Sequence, residues 1–129
     1  MELLNLFNRS KKLKYIKDRT WLSREYIESK FQFLVDNGYV YRYCEKYTEG
    51  SYTYEKQFAY KDQTFYVQFC RDGSQIFCIV QGKDVERTEI GDSCLVDESW
   101  KERFYVSTNI ERLEMIIDVL KENGDKFFN

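Results

Sequence analysis

Between Tyr39 and Gln81 the apolar residues recur with a period of two, and turn residues interrupt them at short intervals. Strand side chains alternate between the two faces of a sheet, so a run of this kind is satisfied by β-structure and not by a helix. Tyr39-Val-Tyr-Arg-Tyr-Cys44 reads as a first strand. A turn at Thr48-Glu-Gly-Ser51 leads to a second, Tyr52 to Tyr60, on which Tyr52, Tyr54, Phe58 and Tyr60 share a face. Lys61-Asp-Gln63 turns the chain again into a third strand, Thr64 to Arg71, with Phe65, Val67 and Phe69 on one side and Tyr66, Gln68 and Cys70 on the other. Asp72-Gly73 is the strongest hairpin signal, because a two-residue I′ turn needs positive φ at both central positions. The fourth strand runs from Ser74 to Gln81. Short turns make consecutive strands antiparallel neighbours, which predicts a four-stranded meander over residues 39–81.

Helical signals flank this region. Ser23 is placed to cap a helix over Arg24 to Asn37, in which Ile27, Phe31, Leu34 and Val35 form one apolar stripe. Gly38 supplies the left-handed residue that ends it. Glu2 to Asn8 and Lys11 to Lys17 also read as helical, giving a helical N-terminal part over 1–38. Near the other end, Thr108 and Glu111 form an S/T-x-x-E capping box. Ile110, Leu113, Ile117 and Leu120 mark a buried stripe with Ile116 beside it, and Gly124 is expected to close this helix, 107–124. Between meander and helix, residues 82–106 are expected to form a long acidic loop and a short edge strand over Lys101 to Val106. The expected fold is a single α+β domain, 1–129, with a four- to five-stranded antiparallel meander packed against N- and C-terminal helices.

The aromatic share of 18%, including 11 Tyr, fits this reading, since Tyr suits both strands and binding surfaces. A strand-rich core rimmed by Tyr is the plainer account, and a Tyr-rich recognition face the alternative. No stretch of about 18 apolar residues is present to span a membrane. Glu2 and a short apolar segment precede the basic run, the reverse of a secretory signal, so a cytoplasmic location is expected.

There is no histidine in the chain, which removes the usual triads, Cys–His dyads and histidine metal centres. Cys44, Cys70, Cys78 and Cys94 have wide, irregular spacing without a CxxC pair, so no metal site is expected and the thiols are read as reduced. No phosphate-binding glycine loop or nucleophile elbow appears. A carboxylate-only site or a calcium loop would have to come from Asp84, Glu86, Glu89, Asp92, Asp97 and Glu98, whose spacing lacks the EF-hand order. The chain is therefore read as a non-enzyme without a cofactor.

Charge is segregated although the chain is nearly balanced at −2. Between Arg9 and Arg24 seven basic residues face Asp18 alone, a net of +6. Between Asp84 and Ser99 six carboxylates face only Arg87, a net of −5. Solvated faces are the plain explanation of both. The functional alternatives are an acidic surface for a basic protein partner, and a basic segment for nucleic-acid phosphates. The first is favoured, because a sequence pI of about 5.3 is far from that of a nucleic-acid module. Its residues are Glu86, Glu89, Asp92, Asp97 and Glu98 for charge complementarity, with Trp100 and Tyr105 as aromatic anchors. A plug beneath the loop is the structural alternative for Trp100. The second would use Lys11, Lys12, Lys14, Lys17 and Arg19.

The segment Phe33-Leu-Val-Asp-Asn-Gly-Tyr39, the aromatic strands after it and the Asp72-Gly73 hairpin together resemble small bacterial immunity proteins of polymorphic-toxin systems. The resemblance covers about Tyr26 to Val80, with the C-terminal helix matching by order alone. It implies a stoichiometric inhibitor occluding a basic toxin such as a nuclease, with no catalytic residues to carry over. A phage-encoded inhibitor of a bacterial defence system has the same size and chemistry. Tyr-rich edge strands also allow a homodimer.

Overall fold

The Ser23 hydroxyl accepts a hydrogen bond from the backbone N–H of Tyr26 at 3.1 Å and starts the first helix, α1 (Arg24–Lys30). The computed structural model describes residues 22–45, 50–58, 63–72 and 75–127. The two N-terminal helical segments expected at 2–8 and 11–17 lie outside these residues. So do Tyr60 and most of the turns expected after Cys44 and Tyr60.

The expected helix over 24–37 is two helices. α1 ends at Phe31, and α2 (Gln32–Asp36) begins directly after it. Phe31 takes φ −94° and ψ 3°, and its carbonyl accepts from Leu34 N–H over three residues instead of four. This tightened turn breaks the regular 3.6-residue phase. Ile27, Phe31 and Leu34 stay fully buried, while Val35 is exposed, contrary to the single stripe expected. Gly38 adopts φ +91°, Tyr39 N–H reaches Leu34 C=O and Gly38 N–H reaches Val35 C=O. That is the double bond pattern of a Schellman cap, for which a left-handed residue is required.

Five strands follow, β1 (Val40–Cys44), β2 (Gly50–Phe58), β3 (Gln63–Asp72), β4 (Gln75–Gly82) and β5 (Val85–Glu89), in a single antiparallel sheet ordered as in the chain. The β3–β4 hairpin is displaced by one residue from its expected position. Asp72 pairs with Gln75, so Asp72 is the last rung of the ladder and the connection falls on 73 and 74, outside the described residues.

Register places Tyr41, Tyr43, Tyr52, Tyr54, Val67, Phe69, Cys78 and Val80 on one face. Tyr52 and Tyr54 are fully buried there, so this Tyr-rich face is core. Phe31 stacks on Tyr54 with ring centroids 5.2 Å apart and packs at 5.4 Å against Phe69, which fastens the α1–α2 corner to the sheet. The opposite face is polar along β1 and β2, where Arg42 pairs with Glu55 at 2.9 Å.

Residues 82–106 hold a strand, a 3-10 turn and a helix where a long loop was expected, with only 93–97 irregular between them. β4 turns through Lys83 and Asp84, with Asp84 at φ +59°, directly into β5, which forms the edge of the sheet opposite β1. A single 3-10 turn (Ile90–Asp92) leads on to α3 (Glu98–Tyr105). The segment expected as an edge strand, 101–106, is thus mainly helix. The Asp97 carboxylate accepts from Trp100 N–H at 2.8 Å, and Trp100 and Phe104 bury one side by stacking at 4.9 Å. A cap and an i, i+4 aromatic pair outweigh the strand preference of Phe104, Tyr105 and Val106.

The last long helix, α4 (Asn109–Glu122), starts at the anticipated Thr108–Glu111 pair: Thr108 Oγ1 accepts from Glu111 N–H at 3.2 Å and donates to the Glu111 carboxylate at 2.8 Å. Leu113, Ile116, Ile117, Val119 and Leu120 pack into the core, with α4 lying against β4, while Ile110 is only partly buried. Gly124 does not terminate the helix in a left-handed conformation. After Asn123 the chain continues into a final turn of helix, α5 (Gly124–Phe127). The architecture is α+β, with helices from both ends of the chain against the antiparallel sheet.

Candidate functional site

Lys101 organises the surface that β5, the 3-10 turn and α3 build together. Its ammonium donates to Asp92 at 2.7 Å and is held above its ordinary pKa chiefly by that hydrogen bond and by the Asp92 charge, with Glu98 and Glu89 adding to it. Asp92 and Glu98, apart in sequence, are therefore both placed beside one cation, and Glu89 adds to the negative field it feels. β5 supplies Glu89 at its end, the 3-10 turn swings Asp92 back, and the first turn of α3 presents Glu98.

Beside this group lies a shallow groove of about 390 Å³, lined by Glu98, Lys101, Glu102, Tyr105 and Val106, with largely apolar walls. Tyr105 is 80% exposed and Val106 44%. A ring so open at the end of a well-packed helix is a feature that folding alone does not demand, because Tyr usually covers most of its apolar body. Its position is nevertheless firm. The Arg112 guanidinium, from the first turn of α4, donates to the carbonyls of Phe104 at 2.7 Å and of Tyr105 at 2.5 Å, and lies 5.0 Å from the Phe104 ring centre. Carbonyls at the end of α3 would otherwise lack partners in their own helix, and a buried arginine from the next helix satisfies them.

Of the residues singled out from sequence, Asp92, Glu98 and Tyr105 come together at this surface, and Glu89 contributes its charge from the end of β5. Glu86 is exposed on β5 and joins no described contact with them. Asp97 is exposed but committed to the α3 cap. Trp100 is 8% exposed and belongs to the core, so it supports the surface from beneath and cannot anchor a partner with its own ring. Lys11, Lys12, Lys14, Lys17 and Arg19 lie outside the described residues. Glu102, Lys101, Val106 and Arg112 were missed. For Glu102 the signal was the spacing Glu98, Glu102, Tyr105 at i, i+4 and i+7, visible only once 98–105 is read as helix.

A second polar cluster lies where α1 meets the sheet. The hydroxyls of Tyr41 and Tyr52 and the Arg71 Nε are buried without a hydrogen-bond partner, and desolvation raises the Tyr41 pKa to about 12. Arg24 covers the Tyr43 ring at 3.8 Å at its rim. All four cysteines are thiols; Cys70 and Cys78 are buried, Cys44 and Cys94 exposed. Burial raises the Cys78 pKa well above that of an ordinary thiol, with Cys70 and Glu89 adding to the shift, which keeps it protonated and unreactive. Among the described residues no group of three or more Cys, Asp or Glu is arranged to hold a metal ion, and no helix is long and apolar enough to cross a membrane.

Comparison with known proteins adds no relative: no family model, no curated protein and no solved structure matches the chain.

Proposed function

We propose that the protein is a non-enzymatic inhibitor that binds a basic protein partner, in the manner of an immunity protein neutralising a cationic toxin such as a nuclease. The observation that carries this reading is Tyr105, a solvent-facing aromatic ring held on a rigid helix end and bordered by carboxylates. Exposed aromatic anchors carry most of the energy of protein interfaces, and surrounding charge governs encounter rate and register. The acidic group of Glu89, Asp92, Glu98 and Glu102 suits a basic surface and repels phosphates, which favours a protein over a nucleic acid.

The test is coexpression with cationic nuclease-toxin domains, starting with any encoded beside this chain, followed by titration of each purified pair. Expected is a stoichiometric complex that abolishes toxin activity, weakens with added salt, and loses at least about tenfold in affinity on Tyr105→Ala. A panel in which every toxin remains fully active in the presence of excess protein overturns the proposal.

A further inference from the structure

Glu98, Glu102 and Tyr105 share one stripe of α3, so two successive turns present carboxylates and the next presents a phenol ring. Lys101 lies on the same side, but its ammonium is drawn to Asp92 at 2.7 Å. Arg103, another cation of the helix, falls near the opposite side by the 100° step of an α-helix. Among the described residues neither Glu98 nor Glu102 makes an ion pair with a cation. The stripe thus combines negative charge, an open π-face and a groove of about 390 Å³.

We infer that this groove seats an arginine side chain of the protein partner, its guanidinium plane on the Tyr105 ring and its N–H groups on the carboxylates of Glu102 and Glu98. The inference rests on the protein-binding reading and narrows it to one side chain. Charge complementarity selects a cation. The flat ring selects a planar one, since guanidinium stacks on aromatic faces and forks onto carboxylates, whereas ammonium is a strongly hydrated point charge. An uncharged apolar segment would leave the carboxylates desolvated without compensation. The fold already uses the same pairing elsewhere: Arg24 lies 3.8 Å from the Tyr43 ring centre and Arg87 4.3 Å from that of Tyr66.

The experiment is an NMR titration of the isotope-labelled full chain with N-acetyl-arginine amide, and in parallel with the lysine and citrulline equivalents. Shift changes should be confined to 98–106, be several-fold weaker with the lysine probe and vanish with neutral citrulline. Tyr105→Ala, and Glu98→Gln combined with Glu102→Gln, should each weaken the arginine probe by about tenfold. Asp92→Asn should also weaken it, because the released Lys101 ammonium then competes for the same carboxylates. All these side chains are exposed, and the same spectra report whether the fold is kept. Equal response to the arginine and lysine probes, or changes centred elsewhere, overturns the inference. Should a toxin complex form and depend on Tyr105 while the arginine probe fails to bind, the guanidinium assignment falls and the inhibitor reading stands. Binding of the probe by a protein that inhibits no toxin supports the groove assignment and removes the inhibitor reading.

Discussion

Gly82 and Phe127 approach so closely that a Cβ on Gly82 would stand 2.9 Å from the Phe127 ring and 2.5 Å from the neighbouring Lys126 carbonyl oxygen. Lys83 N–H donates to that same carbonyl at 2.9 Å, and the Tyr39 hydroxyl donates to the Phe127 carbonyl. The end of β4 and the start of β1 are clasped by the last described turn of the chain. Gly82→Ala should therefore destabilise the protein by about 1–3 kcal/mol through overpacking against backbone. Gly91→Ala, with no heavy atom within 4 Å of the added carbon, should stay within about 0.5 kcal/mol of the parent. Urea denaturation of the two variants checks the contrast.

Tyr105 and Trp100 should separate binding from stability. Tyr105→Ala removes an exposed ring and should change stability by no more than about 0.5 kcal/mol while weakening the partner complex. Trp100→Ala empties a core position stacked on Phe104 and should cost about 3–5 kcal/mol. Thermal melts run beside affinity measurements distinguish the two.

Arg112 should matter beyond its own helix. Replacing it with Met keeps much of the apolar stem but takes its donor from the Tyr105 carbonyl and leaves the Phe104 carbonyl only the Ser107 N–H, at a cost of about 1.5–3 kcal/mol for each charge-assisted bond. Hydrogen exchange should accelerate in α3 and at 106–108 more than in the sheet.

What could be read from sequence was whatever had local chemistry. The Ser23 cap, the Gly38 terminator and the Thr108–Glu111 pair are each decided by one or two side chains and their own backbone, and each formed as expected. The meander followed from alternation that is strong because its strands bury one face. β5 was invisible for the converse reason: Val85-Glu-Arg-Thr-Glu89 is a polar edge strand, and pairing with β4 creates it without a hydrophobic pattern. α3 was misread because Phe104-Tyr105-Val106 has strand preference, which tertiary burial of Trp100 and Phe104 overrides. The acidic residues were visible as a run, but their grouping around Lys101 required the helix that brings Glu98 and Lys101 together.

Alkali should unfold the protein through its buried phenols. Desolvation raises the pKa of Tyr41 to about 12 and those of Tyr39, Tyr52 and Tyr54 further, so the folded state holds these protons more tightly than the unfolded chain does. The stabilisation is complete below the unfolded value near 10 and is lost as pH rises through the folded values. Stability measured by denaturant should fall steadily above about pH 10, with tyrosinate absorbance appearing together with unfolding.

Thiol accessibility gives a simple check of which cysteines are buried. Maleimide should label the exposed Cys44 and Cys94 in the native protein and spare Cys70 and Cys78. Mass spectrometry after labelling in denaturant should recover all four.

Because the strands are ordered in the sheet as they are in the chain, each described pairing can close from its own short connection as soon as the second strand has been synthesised. Assembly from such near-neighbour contacts carries little loop-closure entropy and is fast. Helix packing and the clasp of Tyr39 to Phe127, 88 residues apart, come later, the clasp only once Phe127 has been made. On a ribosome the sheet can therefore form hairpin by hairpin during elongation, and emergence of the turn that carries Phe127 is the step that locks it.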